Sequence, residues 1–65
     1  MKDLKWDYSE ITQHFHVSNN DAYFTIETSE GNAPFILKDA GREVATLSQL
    51  SPAKDIAHII YNNKP

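Results

Sequence analysis

The sequence predicts a small α+β fold: an antiparallel β-meander of three to four strands with one C-terminal helix packed on one face. Three observations carry this. Residues 11–17 and 22–28 alternate apolar and polar side chains with a period of two, as half-buried strands do. Turn-forming clusters separate the alternating runs, at Ser18-Asn19-Asn20-Asp21, Ser29-Glu30-Gly31-Asn32-Ala33 and Lys38-Asp39-Ala40-Gly41. Residues 51–63 then combine a helix start, an apolar face and a stop.

Sixty-five residues allow one domain, 1–65, with one core. The chain has no cysteine, so neither a disulfide nor a thiolate zinc site can brace it. No apolar run approaches the length of a membrane span. The charged opening Met-Lys-Asp-Leu-Lys-Trp-Asp lacks the apolar core of a signal peptide, so a cytoplasmic location is expected. The net charge of −3 is uneven. Residues 1–32 hold Asp3, Asp7, Glu10, Asp21, Glu27 and Glu30 against Lys2 and Lys5 alone. An acidic half is a poor surface for phosphates and suits a basic protein partner or plain solvation.

Residues 1–10 are an extended segment of open assignment. Leu4, Trp6 and Tyr8 alternate like a strand, while Leu4, Tyr8, Ile11 and Phe15 fit a helical stripe. The aromatic and β-branched content favours an edge strand over 4–8. Antiparallel strands then occupy 11–48. In the first, Ile11, Phe15 and Val17 face one side and Thr12, His14 and His16 the other. In the second, Phe24 and Ile26 oppose Tyr23, Thr25 and Glu27. A two-residue turn at Asn19-Asn20 would set Phe15 opposite Phe24, His16 opposite Tyr23 and His14 opposite Thr25. A slip of one residue would bury the histidines, which argues for this choice of faces.

Pro34 opens the next strand, and Phe35-Ile36-Leu37 is apolar on both faces. Lys38-Asp39-Ala40-Gly41 reads as a type I turn with Gly41 in the left-handed conformation. Arg42 to Ser48 returns as a strand. In the helix over 51–63, Ser51 is the expected N-cap and Pro52 the first helical residue. Ala53, Ile56, Ile59 and Ile60 form the stripe, and Asn62, Asn63 and Pro65 end it.

Signals for chemistry are few. His14 and His16 stand on one side of a strand, about 7 Å apart along it, close enough to chelate a metal if a third ligand joined them. No such ligand is fixed by spacing, so two exposed histidines are expected, with no metal and no cofactor. The serines stand at turn and capping positions, and no glycine-rich phosphate loop or carboxylate pair is present. A non-enzymatic protein is therefore expected. Trp and Tyr serve either as interface anchors or as core for a small domain. Tyr23 is assigned to the surface, where His14, His16, Tyr23 and Thr25 make a polar-aromatic patch on the face away from the helix. Trp6 is assigned to the core or a fold-back contact, and with Tyr8 it offers a second binding position in the acidic segment. Bases could stack on such aromatics, but the flanking charge opposes nucleic acid.

Residues 34–63, with Asp39-Ala40-Gly41-Arg42, Val44-Ala45 and then Ala53-Lys54-Asp55-Ile56-Ala57 and Asn62-Asn63, resemble small proteins encoded by bacteriophages and prophages. The resemblance implies a compact, non-enzymatic protein that regulates or inhibits a host protein by binding it. A protein-binding module is thus the leading expectation. A nucleic-acid-associated accessory protein and a homo-oligomer pairing through its sheet, such as a homodimer, are the alternatives.

Overall fold

A computed structural model describes residues 3–19 and 21–63. Asn20 of the expected Asn19-Asn20 turn, and Pro65 of the expected helix stop, lie outside the described residues. The chain runs β1 (Trp6–Ser9), β2 (His14–Val17), β3 (Phe24–Ser29), β4 (Asn32–Asp39), β5 (Arg42–Leu47) and α1 (Leu50–Asn62). The strands form one sheet in the order β1-β2-β3-β4-β5, with every neighbouring pair antiparallel. The meander and the terminal helix are as the alternation predicts, but the sheet has five strands rather than three to four. The additional strand is β1, in the aromatic segment whose residues fit a strand and a helical stripe equally well.

The core lies between α1 and one sheet face. Phe24, Ile26 and Leu37 are its largest fully enclosed side chains, joined by Leu4, Ala22, Phe35, Ala53, Ala57 and Tyr61. Phe15 pairs with Ile26 and Ile26 with Leu37, so one row of apolar side chains crosses three strands on the core face. Each fully buried aliphatic or aromatic side chain contributes about 1.5–3 kcal/mol of transfer free energy.

The expected helix stripe is corrected by this packing. Ala53, as expected, and Ala57, which the stripe left out, are the helix residues fully buried against the core, at 0% exposure. A methyl group is what fits where a helix lies near a sheet. Ile56 and Ile60 pack partly buried on the flank of that line. Ile59 stands roughly 160° round the helix from Ala57 at 3.6 residues per turn, and it is 61% exposed. The helix start is corrected too. Its cap is Gln49, which makes no side-chain capping bond, and Ser51 and Pro52 lie inside the first turn. Proline is tolerated there because first-turn amides have no intrahelical acceptor. Asn63 closes the other end, its side-chain amide donating to the Ile59 carbonyl at 2.8 Å.

Two hairpin turns close the β3–β4 and β4–β5 pairs, and each pairing then shifts register, between Glu27 and Ser29 and between Leu37 and Lys38. Ser29 pairs with Asn32 around Glu30 (φ 56°) and Gly31 (φ 80°), and Asp39 pairs with Arg42 around Ala40 (φ 53°) and Gly41 (φ 85°). Positive φ at both central residues marks type I′ turns, whose twist matches that of the flanking strands. The expected type I turn at 38–41 is therefore replaced by its mirror form, centred one residue later. Pro34 lies inside β4, not at its start, close to a shift in the β3–β4 register between Glu27 and Ser29.

The β2–β3 register is also corrected. Phe15 faces Ile26, His16 faces Thr25 and His14 faces Glu27, two residues from the expected alignment. The connection is longer than a two-residue turn, spanning 18–23. A slip of two preserves the alternation, so the side chains of β2 and β3 keep their expected faces. Asn19 earns its place by different chemistry. Its side chain accepts from the Lys5 amide at 2.8 Å and donates to the Asp3 carbonyl at 3.1 Å, tying down the segment before β1. Beside it, the Tyr61 hydroxyl donates to both carboxylate oxygens of Asp21, at 2.8 and 2.9 Å, and fastens the end of α1 to the same connection. This hydrogen bond, with burial and the Asp21 charge, raises the Tyr61 pKa above its ordinary 10.0, and a hydrogen bond from Asn19 opposes the rise.

Candidate functional site

Alternation along each strand sends one set of side chains to the helix and the other to the opposite face. The strand registers place Asp7, His16, Thr25, Lys38 and Glu43 in one row across all five strands on that second face. Ser9, His14, Glu27, Ile36 and Thr46 form the adjacent row. The Lys38 ammonium joins the rows by an ion pair to Glu27 at 2.8 Å. A partly exposed pair of this kind contributes about 0.2–1 kcal/mol.

The sequence-derived patch is therefore brought together in part. His16, Tyr23 and Thr25 line one open groove of about 460 Å³, together with Glu27, Lys38, Ala40, Gly41 and the apolar Val17, Ala22 and Phe24. Tyr23 is 69% exposed. His14 lies one row away, opposite Glu27 and not in the groove. Among the described residues, no cluster of three or more His, Cys, Asp or Glu side chains is placed to hold a metal ion.

Trp6 and Tyr8 do not join this patch. They alternate with Asp7 and so fall on the helix face, at the outer edge of the sheet. Trp6 packs half-buried against the core, with the Lys54 ammonium 6.0 Å from its ring and 5.3 Å from that of Phe15. Such a cation–π contact contributes about 0.5–1 kcal/mol where water still reaches it. Tyr8 rests on Phe15, ring centroids 4.9 Å apart, with its hydroxyl beside Gly31.

Two participants escaped sequence reasoning. Lys38 enters the groove through the β3–β4 pairing, and the register shift in that pairing leaves no sequence pattern to count along. Ile11 is the other. Its place in an alternating run predicted a core residue, yet it lies in the β1–β2 turn at 96% exposure. The polar neighbours Glu10, Thr12 and Gln13 were the available signal. Among the described residues, no helix is long and apolar enough to cross a membrane. Compared with known proteins, the chain matches no family model, no curated protein and no solved structure.

Proposed function

We propose that this chain is a small non-catalytic protein-binding module that engages its partner through the sheet face the helix leaves uncovered. The observation that carries this is Tyr23, an aromatic side chain held mostly in solvent, which lines a groove together with His16, Thr25, Glu27 and Lys38. Folding does not require an exposed tyrosine, whereas interfaces draw much of their energy from such anchors. The groove's carboxylate and ammonium are engaged with each other. Acidic side chains prevail in the first half of the chain, so the matching surface is a basic one on another protein. The role we assign is regulation or inhibition of a host protein, as the resemblance of residues 34–63 to phage-encoded proteins implies.

Affinity capture followed by binding measurements on the purified partner tests this. Tyr23→Ala should weaken binding about tenfold or more while leaving the melting temperature unchanged. Unaltered binding by Tyr23→Ala and by Thr25→Arg would remove the open face as the site. A second reading, self-association, draws on β5, which edges the sheet and exposes Val44. A concentration-dependent dimer in sedimentation, abolished by Val44→Lys, would favour it.

A further inference from the structure

The β1–β2 turn carries an apolar side chain where turn chemistry disfavours one. Turns draw on Gly, Pro, Asn, Asp and Ser. This one, Glu10-Ile11-Thr12-Gln13, presents a β-branched residue at 96% exposure, more than Tyr23, Ile59, Tyr8 or Val44. The loop around it is held in place. The Gln13 amide donates to the Ser9 carbonyl at 2.7 Å, and the Thr12 amide to the Ser9 hydroxyl at 3.4 Å. From the neighbouring hairpin, the Thr28 hydroxyl donates to the Gln13 carbonyl and accepts from the Gly31 amide at 2.8 Å. Gln13 itself sits at φ 59°, a left-handed conformation that costs a residue with a side chain. Backbone strain of this kind persists where surrounding contacts over-determine it, and it concentrates at functional sites.

The charge around the tip is of one sign. The β1–β2 and β3–β4 turns share an end of the sheet, and their charged residues are Glu10 and Glu30, with no lysine or arginine in either. An apolar prong on a braced loop, at an end of the sheet whose two turns carry only carboxylates, is complementary to an apolar pocket with a basic rim.

We infer that Ile11 is an anchor that the β1–β2 hairpin inserts into an apolar pocket, bordered by Lys or Arg, on a partner protein. This rests on the binding reading above and adds a second point of contact at the end of the sheet. A prepaid loop conformation lowers the ordering cost of docking, so the prong gains affinity without new contacts elsewhere.

The test places the photoreactive amino acid p-benzoylphenylalanine at position 11 and, in a separate preparation, at position 23. Cross-linked partner residues are mapped by mass spectrometry, and the partner is then purified for binding measurements. Position 11 should label apolar residues of a concave site with Lys or Arg beside it. Ile11→Asp should weaken binding roughly 30-fold or more, the scale of an interface anchor, and Ile11→Leu should stay within about threefold. Glu10→Lys with Glu30→Lys should slow association and reduce its salt dependence. All three substituted variants should melt with the parent, because the altered side chains are exposed. Wild-type binding by Ile11→Asp overturns the inference, as does labelling of a second copy of this chain or of a flat polar site. If Tyr23→Ala weakens binding while Ile11→Asp does not, the open-face reading stands and the prong falls. If neither position labels a saturable partner, both fall.

Discussion

The β3–β4–β5 meander under α1 and the β1–β2 hairpin beside it use the same antiparallel pairing but are held in different ways. In the meander, strands of six to eight residues are joined by tight turns, and Phe24, Ile26 and Leu37 are almost fully enclosed. The hairpin has strands of four residues and no side chain buried to that degree. Polar ties compensate: Asn19 to the segment before β1, and Thr28 to the β1–β2 turn. The lesson is a division of labour. Apolar burial makes one region stable, and directional hydrogen bonds let the other present Ile11 and Tyr8 to solvent in a fixed arrangement.

Substitution in the meander core should test that division most severely. Leu37→Ala, at a position with no exposure, is expected to destabilise by about 2–5 kcal/mol in chemical denaturation. For a domain of this size that approaches the whole stability. If Tyr8→Ala costs as much, the two regions are not held differently.

The turns come next. Gly41→Val forces a β-branched residue to φ 85° and should cost about 1–2 kcal/mol, although a Cβ there would meet no neighbour within 4 Å. Conversely, Ala40→Asn should raise stability by up to about 1 kcal/mol, since asparagine tolerates the left-handed conformation that alanine adopts here at φ 53°. A loss of stability in that variant would mean the turn is not type I′.

Tyr61 joins the two regions, and its titration offers a pH test. Its pKa is raised above 10.0 in the folded chain, chiefly by the hydrogen bond to Asp21. The folded state thus holds the phenolic proton where the unfolded chain would release it. The stabilisation is complete below pH 10.0 and is lost as pH rises through the raised pKa. Melting curves of the parent should fall more steeply in that alkaline range than those of Tyr61→Phe, and parallel curves would remove the assignment. The smallest effects belong to the exposed positions. Ile11→Ala and Tyr23→Ala should each change stability by less than about 0.5 kcal/mol in thermal melts. A larger loss at Ile11 would place it against the fold, where its alternation with Phe15 first suggested it belonged.

Much of the architecture was legible in the residues alone. Period-two alternation assigned the faces of β2 and β3, so His14, His16, Tyr23 and Thr25 could be placed together before their partners were known. Glycine at 31 and 41 marked both tight turns. The helix showed in the spacing of its apolar residues. What the chain order could not show was everything that depends on a distant neighbour. The β2–β3 register slipped by two because a two-residue slip leaves the alternation intact, and only packing of Phe15 on Ile26 selects between them. Ala57 joined Ala53 at the centre of the interface and Ile59 left it, because which helix residues meet the sheet is decided by tertiary packing. Lys38 met Glu27 through a register shift that no local pattern encodes. Ile11 left the core because the strand ended three residues short of it, and a side chain's burial is decided by what stands opposite, not by its own hydrophobicity.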